Sequence, residues 1–335
     1  MKRQSFGPAQ GKRILTGLKP TGEIQFGNYL GSVKQITALQ EQGHEIFLMI
    51  ADLHAQTVPY DPAELRRLTL DLGGSLVALG VDPKRVTLFR QSDVPAHLAL
   101  AWILGCLAPT GDLMRMHEFK EQSERYQRQG VGAGILMYPV LMASDILLYR
   151  ADLVPVGQDQ TQHVELTREL ARRFNARFGQ VLTVPELRVE QETAKIMSLD
   201  DPAKKMSKSL PAGNVEVFGS EAEIRQKFAQ AVTDSGREVR YDPAAKPAVS
   251  NLMTILKHLT GKDFKAIERE FAGQGYAEFK RTIANAFIAH FAAARVAKTK
   301  LTKPKVEAIF AAGARKANKA ANETLAVVLK KTGLR

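Results

Sequence analysis

Cysteine is nearly absent from this sequence. Cys106 is the only one in 335 residues, so neither a disulfide framework nor a cysteine-rich zinc site can form. Long apolar runs are missing too. No stretch is long enough to cross a bilayer, and residues 1–12 (MKRQSFGPAQGK) lack the apolar core of a secretory leader. The expectation is a soluble, cytoplasmic chain with no membrane partner. There is no internal repeat and no low-complexity tract. Acidic residues are in short supply: 35 Asp and Glu stand against 47 Lys and Arg, a formal charge of +12. Such an excess serves solubility or a polyanionic partner. From Arg295 to Arg335, eleven Lys or Arg face only Glu307 and Glu323, a net of +9. Charge confined to one end of a chain suggests a polyanion bound there.

What the chain does contain is apolar material, 44% of its residues, and room for two or three domains. Residues 1–12 show no periodicity and read as a disordered lead-in. RILTGL (13–18) reads as a buried strand, KPTGE (19–23) as a turn and NYLGSVKQITALQEQG (28–43) as a helix. HEIFLMIADLHA (44–55) reads as a second strand. A helix then opens with Asp61 as N-cap, Pro62 at the first position and Glu64 at the third. VTLFRQSD (86–93) is a third strand and VPAHLALAWILGCL (94–107) another helix. Alternating helices and continuous apolar strands predict an α/β fold, a doubly wound parallel sheet covered on both faces. Its ligand site should lie at the carboxyl ends of the strands. After residue 112 the pattern turns to helices with polar loops, and from 219 it is helical throughout. The expected division is 13–112 (α/β), 113–185 (insertion), 186–218 (return to the α/β part) and 219–335 (all-helical).

Two stretches carry chemistry. KKMSKSLPAG (204–213) crowds Lys204, Lys205 and Lys208 beside two serines, then stops at Pro211 and Gly213. Three lysines in a turn are often just solvated surface. With hydroxyls and free backbone N–H groups they can also cradle phosphate oxygens. TGLKPTGEIQFGNYLGS (16–32) runs from the first strand into the first helix, with Gly17, Gly22, Gly27 and Gly31 around the turn. It is a structural glycine turn or an anion site at a helix start. It is neither the dinucleotide fingerprint nor a Walker loop.

Together the two motifs resemble the signature pair of class I aminoacyl-tRNA synthetases. That pair is P-x-x-x-x-[H/T]-x-G-[H/N] followed by KMSKS. Here the first reads Pro20-Thr21-Gly22-Glu23-Ile24-Gln25-Phe26-Gly27-Asn28 and the second Lys205-Met206-Ser207-Lys208-Ser209. The segments YPVLMASDILLYRADLVPVGQDQTQHVELTREL (138–170) and AVTDSGREVRYDPAAKPAVSNL (231–252) are similar to bacterial-type tryptophanyl-tRNA synthetases. The resemblance covers residues 13–335. It implies a Rossmann-like catalytic sheet, an insertion and a helical domain that binds the anticodon of tRNA(Trp). It also implies a homodimer formed through the insertion, and ATP and L-tryptophan as substrates. The reaction it implies yields tryptophanyl-adenylate and pyrophosphate, then passes the acyl group to the tRNA 3′ end. Because the substrate carboxylate is the nucleophile, the protein must mainly position reactants and stabilise phosphate charge.

The resemblance also assigns residues. Lys205 and Lys208 belong to the pyrophosphate side, and Ser207 would hold other oxygens. Lys19, Pro20, Thr21, Gln25, Gly27 and Asn28 would hold other phosphate oxygens, with Met206 and Ser209 completing the loop. Gly157, Gln158 and Asp159 match nucleotide-contacting positions, and Ile196 the residue that packs on adenine. Mg²⁺ would bridge phosphates without a protein cage, so no resident metal site is expected. Two positions depart from the family. Gln25 replaces its usual His or Thr, and Gln122 stands where many relatives have lysine. Both remove positive charge, with weaker ATP binding or slower activation as the expected result.

For the amino acid, an indole N–H is only a donor, so its pocket needs one aimed acceptor within apolar walls. Asp145, inside ILMYPVLMASDILLY (135–149), matches the family's indole-reading aspartate; a helix cap or structural ion pair is the alternative. Leu15, Met142, Val154 and Val156 would form the walls. Tyr138 and Gln160 would hold the ammonium and carboxylate. His54 is read as a pocket residue or as a core histidine behind it. Trp102 and the Met-rich stretch Met114–Met142 read as packing, the latter also as dimer contact. The rival readings are a tyrosine-specific synthetase, a small-molecule nucleotidyltransferase, and a non-catalytic paralogue that binds tRNA or a protein. DNA is not an expected partner.

Overall fold

The computed structural model describes residues 11–125, 132–189, 196–206 and 211–335. The first ten residues of the lead-in and Ser207, Lys208 and Ser209 of the lysine motif lie outside the described residues, as do the side chains of Gln122 and Asp159.

β1 (Arg13–Leu18) leads into α1 (Phe26–Asn28), a turn of π-helix (Tyr29–Val33) and α2 (Lys34–Glu41). β2 (Glu45–Ile50) is followed by α3 (Asp52–Ala55) and α4 (Pro62–Ala78), and β3 (Val86–Arg90) by α5 (Ala96–Gly105). Asp61 caps α4, accepting the Glu64 N–H at 2.7 Å, as its sequence predicts. The second sequence-predicted strand is shorter than expected: after Ile50 the chain turns into α3. Next come α6 (Thr110–Met114), α7 (His117–Arg125), α8 (Ala133–Leu148), β4 (Leu153–Val156), α9 (Thr161–Phe178) and β5 (Glu186–Val189). The tail is α10 (Glu221–Gln230), α11 (Pro247–Thr260), α12 (Phe264–Glu270), α13 (Tyr276–Thr299) and α14 (Lys303–Thr332).

The five strands form one parallel sheet in the order β3-β2-β1-β4-β5. β4 and β5 do not stand out in the sequence. Each has only four residues, and Pro155 inside β4 argues against an interior strand. Successive residues of β1 serve opposite faces. Ile14 packs with Leu48, Leu72 and Leu76 on one side, Leu15 with Phe47, Val140 and Phe174 on the other. Burial of both faces explains why these strands are continuously apolar. The strand order reverses between β1 and β4, and the crevice beyond their carboxyl ends is the natural ligand position in such a sheet.

β3 is an edge strand, and α14 covers it. Val306 and Phe310 enter the core on one face of the sheet; Ala317, Ala321 and Val328 enter the core on the other. Arg90 pairs with Glu307 at 3.0 Å, and Asn318 Nδ2 donates to the Asp93 carbonyl at 2.8 Å. The helix lies so close that a Cβ on Gly313 would sit 1.9 Å from the Leu88 carbonyl oxygen. The last helix of the basic tail therefore also closes the edge of the sheet.

Gly313→Ala should push α14 off β3 and lower stability by about 1–3 kcal/mol. Thermal unfolding of the variant beside Gly134→Ala, where an added methyl meets open space, checks this; similar melting of the two would refute the close-approach argument.

Candidate functional site

A cavity of about 1000 Å³ opens where the topology predicts, beyond the ends of β1 and β4. Leu15, Lys19, Gly27 and Asn28 line it from the first strand and helix; Val154, Val156, Gly157, Gln158 and Gln160 from β4 and the turn that follows. His54 of α3 and Tyr138, Met142 and Asp145 of α8 add a third wall, and Ile196, Lys205 and Met206 a fourth. The sequence-predicted amino-acid and nucleotide residues thus meet around one space. Pro20 and Thr21 do not line it: Pro20 is buried and Thr21 exposed beside it.

Asp145 is the electrostatic centre of the pocket. It is 1% exposed, and three side chains donate to it. His54 Nε2 meets Oδ2 at 2.8 Å, His97 Nδ1 meets Oδ1 at 2.5 Å, and Gln91 Nε2 reaches both oxygens at 3.0 and 2.9 Å. Burial alone would raise this carboxyl. The His97 ring and the hydrogen bonds from His54 and His97 outweigh it and bring the group down to about 2. Gln91 Oε1 accepts the His54 backbone N–H at 3.3 Å, which fixes which end of the amide faces Asp145. Behind them, the Tyr149 hydroxyl meets His97 Nε2 at 2.9 Å. Burial, then the Asp145 charge, pushes the Tyr149 phenol far up, so it stays protonated. Tyr138 bonds His163 Nε2, and Lys19 Nζ lies 5.4 Å from the Tyr138 ring centre.

Gln91, His97, Tyr149 and His163 belong to this arrangement, yet none of them is singled out by the sequence. A histidine in the first turn of a helix after a strand, with an aspartate in an apolar run elsewhere, was the available signal. Spacing could not reveal that the two side chains meet, because 48 residues separate them.

The stem of the lysine motif is a narrow ladder. Met206 N–H donates to the Ile196 carbonyl at 3.0 Å and Ser198 N–H to the Lys204 carbonyl at 2.8 Å. From α11, Asn251 clamps both backbone groups of Met197 at 2.9 Å. Lys204 turns aside to Asp201 at 2.9 Å, while Lys205 lines the cavity. Gln25 is 2% exposed and absent from the cavity wall. Its Nε2 donates to the Met206 carbonyl at 3.2 Å, tying the glycine turn to the lysine stem. A glutamine is long enough for that reach, which a threonine is not. Gln25 Oε1 and Asn28 Oδ1 are buried without a hydrogen-bond partner among the described residues.

Comparison with known proteins gives a consistent result. The family model for class I tRNA synthetases (W and Y) matches residues 9–292. A tryptophan–tRNA ligase of Clostridium acetobutylicum is 44% identical, over 96% of this chain and 97% of that one. A protein named tryptophan–tRNA ligase 2 from Streptomyces avermitilis is 45% identical, over 96% of each. Among solved structures, tryptophanyl-tRNA synthetase from Campylobacter jejuni complexed with ADP and tryptophan superposes with a TM-score of 0.85. Its identity is 35%, over 96% of this chain and 99% of that chain.

The buried charge of Asp145 has a pH signature. Unfolded, the carboxyl takes its proton near 3.8; folded, only near about 2. Between these values the unfolded state binds more protons. The contribution of Asp145 is therefore complete above about pH 4 and is lost as the pH falls toward 2, about 2 kcal/mol in all. Denaturant unfolding from pH 5 to pH 2.5 should show a steeper loss for the wild type than for Asp145→Asn. Parallel curves would contradict the charged assignment.

Proposed function

The chain belongs to the class I tRNA synthetases of the tryptophan and tyrosine branch, and on that premise we propose that it activates L-tryptophan with ATP and charges tRNA(Trp). The observation that carries the choice of amino acid is the buried, ionised Asp145 beside the apolar wall residues Leu15, Met142, Val154 and Val156. A lone acceptor in apolar surroundings suits an indole N–H. A tyrosine would bring a hydroxyl that both donates and accepts. A site built to satisfy one polar group rejects a ligand lacking it by ~10⁴ or more.

The reaction needs no protein nucleophile. The tryptophan carboxylate attacks the α-phosphorus of ATP, the bond to the β,γ-pyrophosphate breaks, and pyrophosphate leaves. The adenylate's acyl carbon is then taken by a ribose hydroxyl at the tRNA 3′ end, releasing AMP. Lys205, with Lys208 from outside the described residues, meets the charge that builds on the pyrophosphate. Lys19, Gly27 and Asn28 hold the remaining phosphate oxygens. Gly157 and Gln158 take the ribose, and Ile196 packs on adenine. Tyr138 and Gln160 hold the substrate ammonium and carboxylate. Mg²⁺ arrives on the phosphates. Phosphate oxygens and water would supply its ligands. Gln25 serves this chemistry through the Met206 carbonyl rather than by touching phosphate.

The same reading assigns residues 13–112 and 186–218 to catalysis, 113–185 to the pocket and dimer contact, and 219–335 to the tRNA. Charge on α13 and α14 supplies salt-dependent affinity for the tRNA backbone. The dimer face is the apolar patch on α5 and α8. Leu98 and Trp102 are 56% and 74% exposed one helical turn apart, so Trp102 is not the packing residue its sequence suggests, and Met137 reaches the same helix at Gly105. A tryptophan left this open is a typical interface anchor. Among the described residues no helix is long and apolar enough to cross a membrane, and we place the enzyme in the cytoplasm with its tRNA.

Amino-acid-dependent ATP–pyrophosphate exchange tests the core of this reading. Exchange is expected with tryptophan and not with tyrosine. Lys208→Ala should lower it by orders of magnitude while tRNA affinity stays close to wild type; loss of both or of neither would count against the assignment. Sedimentation tests the dimer separately. The wild type should sediment as a dimer and Trp102→Glu as a monomer, because a carboxylate would be buried in an apolar contact. An unchanged mass would move the interface elsewhere.

A further inference from the structure

Asp145 has no acceptor capacity to spare. A carboxylate offers about four lone-pair sites, and four contacts already fill them. Oδ1 takes His97 and Gln91; Oδ2 takes His54 and Gln91. A substrate donor must therefore replace a protein donor.

The three donors are not equivalent. His54 lines the cavity, whereas Gln91 and His97 are fully buried and do not. The second ring nitrogen of His54, Nδ1, is buried without a hydrogen-bond partner. Its imidazole makes its side-chain hydrogen bond through Nε2 alone, and its ring meets Tyr138 edge-on with centroids 6.0 Å apart. His97 is held from all sides. Its carbonyl accepts the Ser144 hydroxyl at 2.6 Å, and its ring packs against Phe89 and Tyr149 with centroids 6.2 and 5.6 Å apart. Its Nε2 meets the Tyr149 hydroxyl. Ionised Asp145 can only accept, so Nδ1 of His97 carries the proton that faces it, and the Tyr149 hydroxyl holds the opposite ring nitrogen.

The geometry points to two separate roles: His97, its far ring nitrogen held by Tyr149, is a positioning residue that locks the Asp145 carboxylate in place, and His54 is the exchangeable donor that yields Oδ2 to the ring N–H of the substrate. The inference rests on tryptophan being the substrate. Its consequence is that indole selectivity depends on two residues, His97 and Tyr149, that never touch the ligand. Removing the His97 donor lets the carboxylate turn and recruit other donors, so it loses its aim without losing its charge. Gln91 alone cannot prevent this, because its one amide group is shared between both oxygens.

The experiment compares tryptophan with 3-benzothienylalanine, an isostere in which sulfur replaces the ring N–H, in ATP–pyrophosphate exchange. The wild type should prefer tryptophan in kcat/KM by roughly 100-fold or more. His97→Leu should cut that preference by about tenfold or more, a loss the size expected when one buried hydrogen bond fails. The loss should fall on KM for tryptophan, with KM for the sulfur isostere within about twofold. His97→Asn, whose amide N–H can reach the same oxygen, should recover most of it, and Tyr149→Phe should fall between. Should His97→Leu fail to fold in thermal unfolding, the last two variants decide the matter. Equal losses for both amino acids, or an unchanged preference, would overturn the positioning role. A wild type that exchanges with tyrosine, or with neither amino acid, overturns the substrate assignment itself, and is recognised before any substitution is made.

Discussion

Asp145 sits on α8 among side chains that exclude water almost completely, and it keeps its charge there. A bare carboxylate in such a place would be neutral or would destabilise the fold by several kcal/mol. Much of the architecture around it can be read as the answer to that constraint. α3 delivers His54, the turn after β3 delivers Gln91, and α5 delivers His97. Each follows a strand's carboxyl end, so the sheet has to be in register before the charge can be satisfied. The polar network and the hydrophobic core are therefore one problem for the folding chain. An error in strand order would leave a buried ion unpaired as well as a core unfilled.

The side of the cavity proposed to take phosphate follows different physics. There the protein offers lysines and backbone around a cavity and keeps them accessible. Lys205 gains its position from a short ladder that Asn251 and Gln25 clamp from opposite parts of the chain, 226 positions apart in sequence. The α11 clamp joins the helical tail to the residue next to Ile196. α14 joins the same tail to the edge of the sheet. Tail and catalytic sheet are thus built as a continuous body. Charge on the tail's outer faces is free for a polyanion while its inner faces complete both cores.

The legibility of the fold differed from element to element. β1, β2 and β3 could be read because strands buried on both faces are apolar throughout. α4 could be read because Asp61, Pro62 and Glu64 state its start in local chemistry. β4 and β5 could not: four residues with a proline, or with alternating charge, carry too little pattern. The cavity walls Leu15, Met142, Val154 and Val156 and the polar residues Asp145, Lys205 and Gln158 were found through motif resemblance rather than periodicity. Gln25 was expected at a phosphate, and only its reach to the Met206 carbonyl shows the other use of its length.

By itself, the sequence determined the class of fold, the crowding of lysines and hydroxyls into one motif and the presence of an acidic residue in an apolar run. All three are local properties, set by residue type and spacing along the chain. Only the tertiary structure decided which donors hold that acceptor, which of them faces the cavity, and which helix seals the sheet. Those are contacts between residues 37 to 225 positions apart. Nothing in their neighbourhoods along the chain encodes such a pairing; it arises when strand order and helix packing bring the elements together.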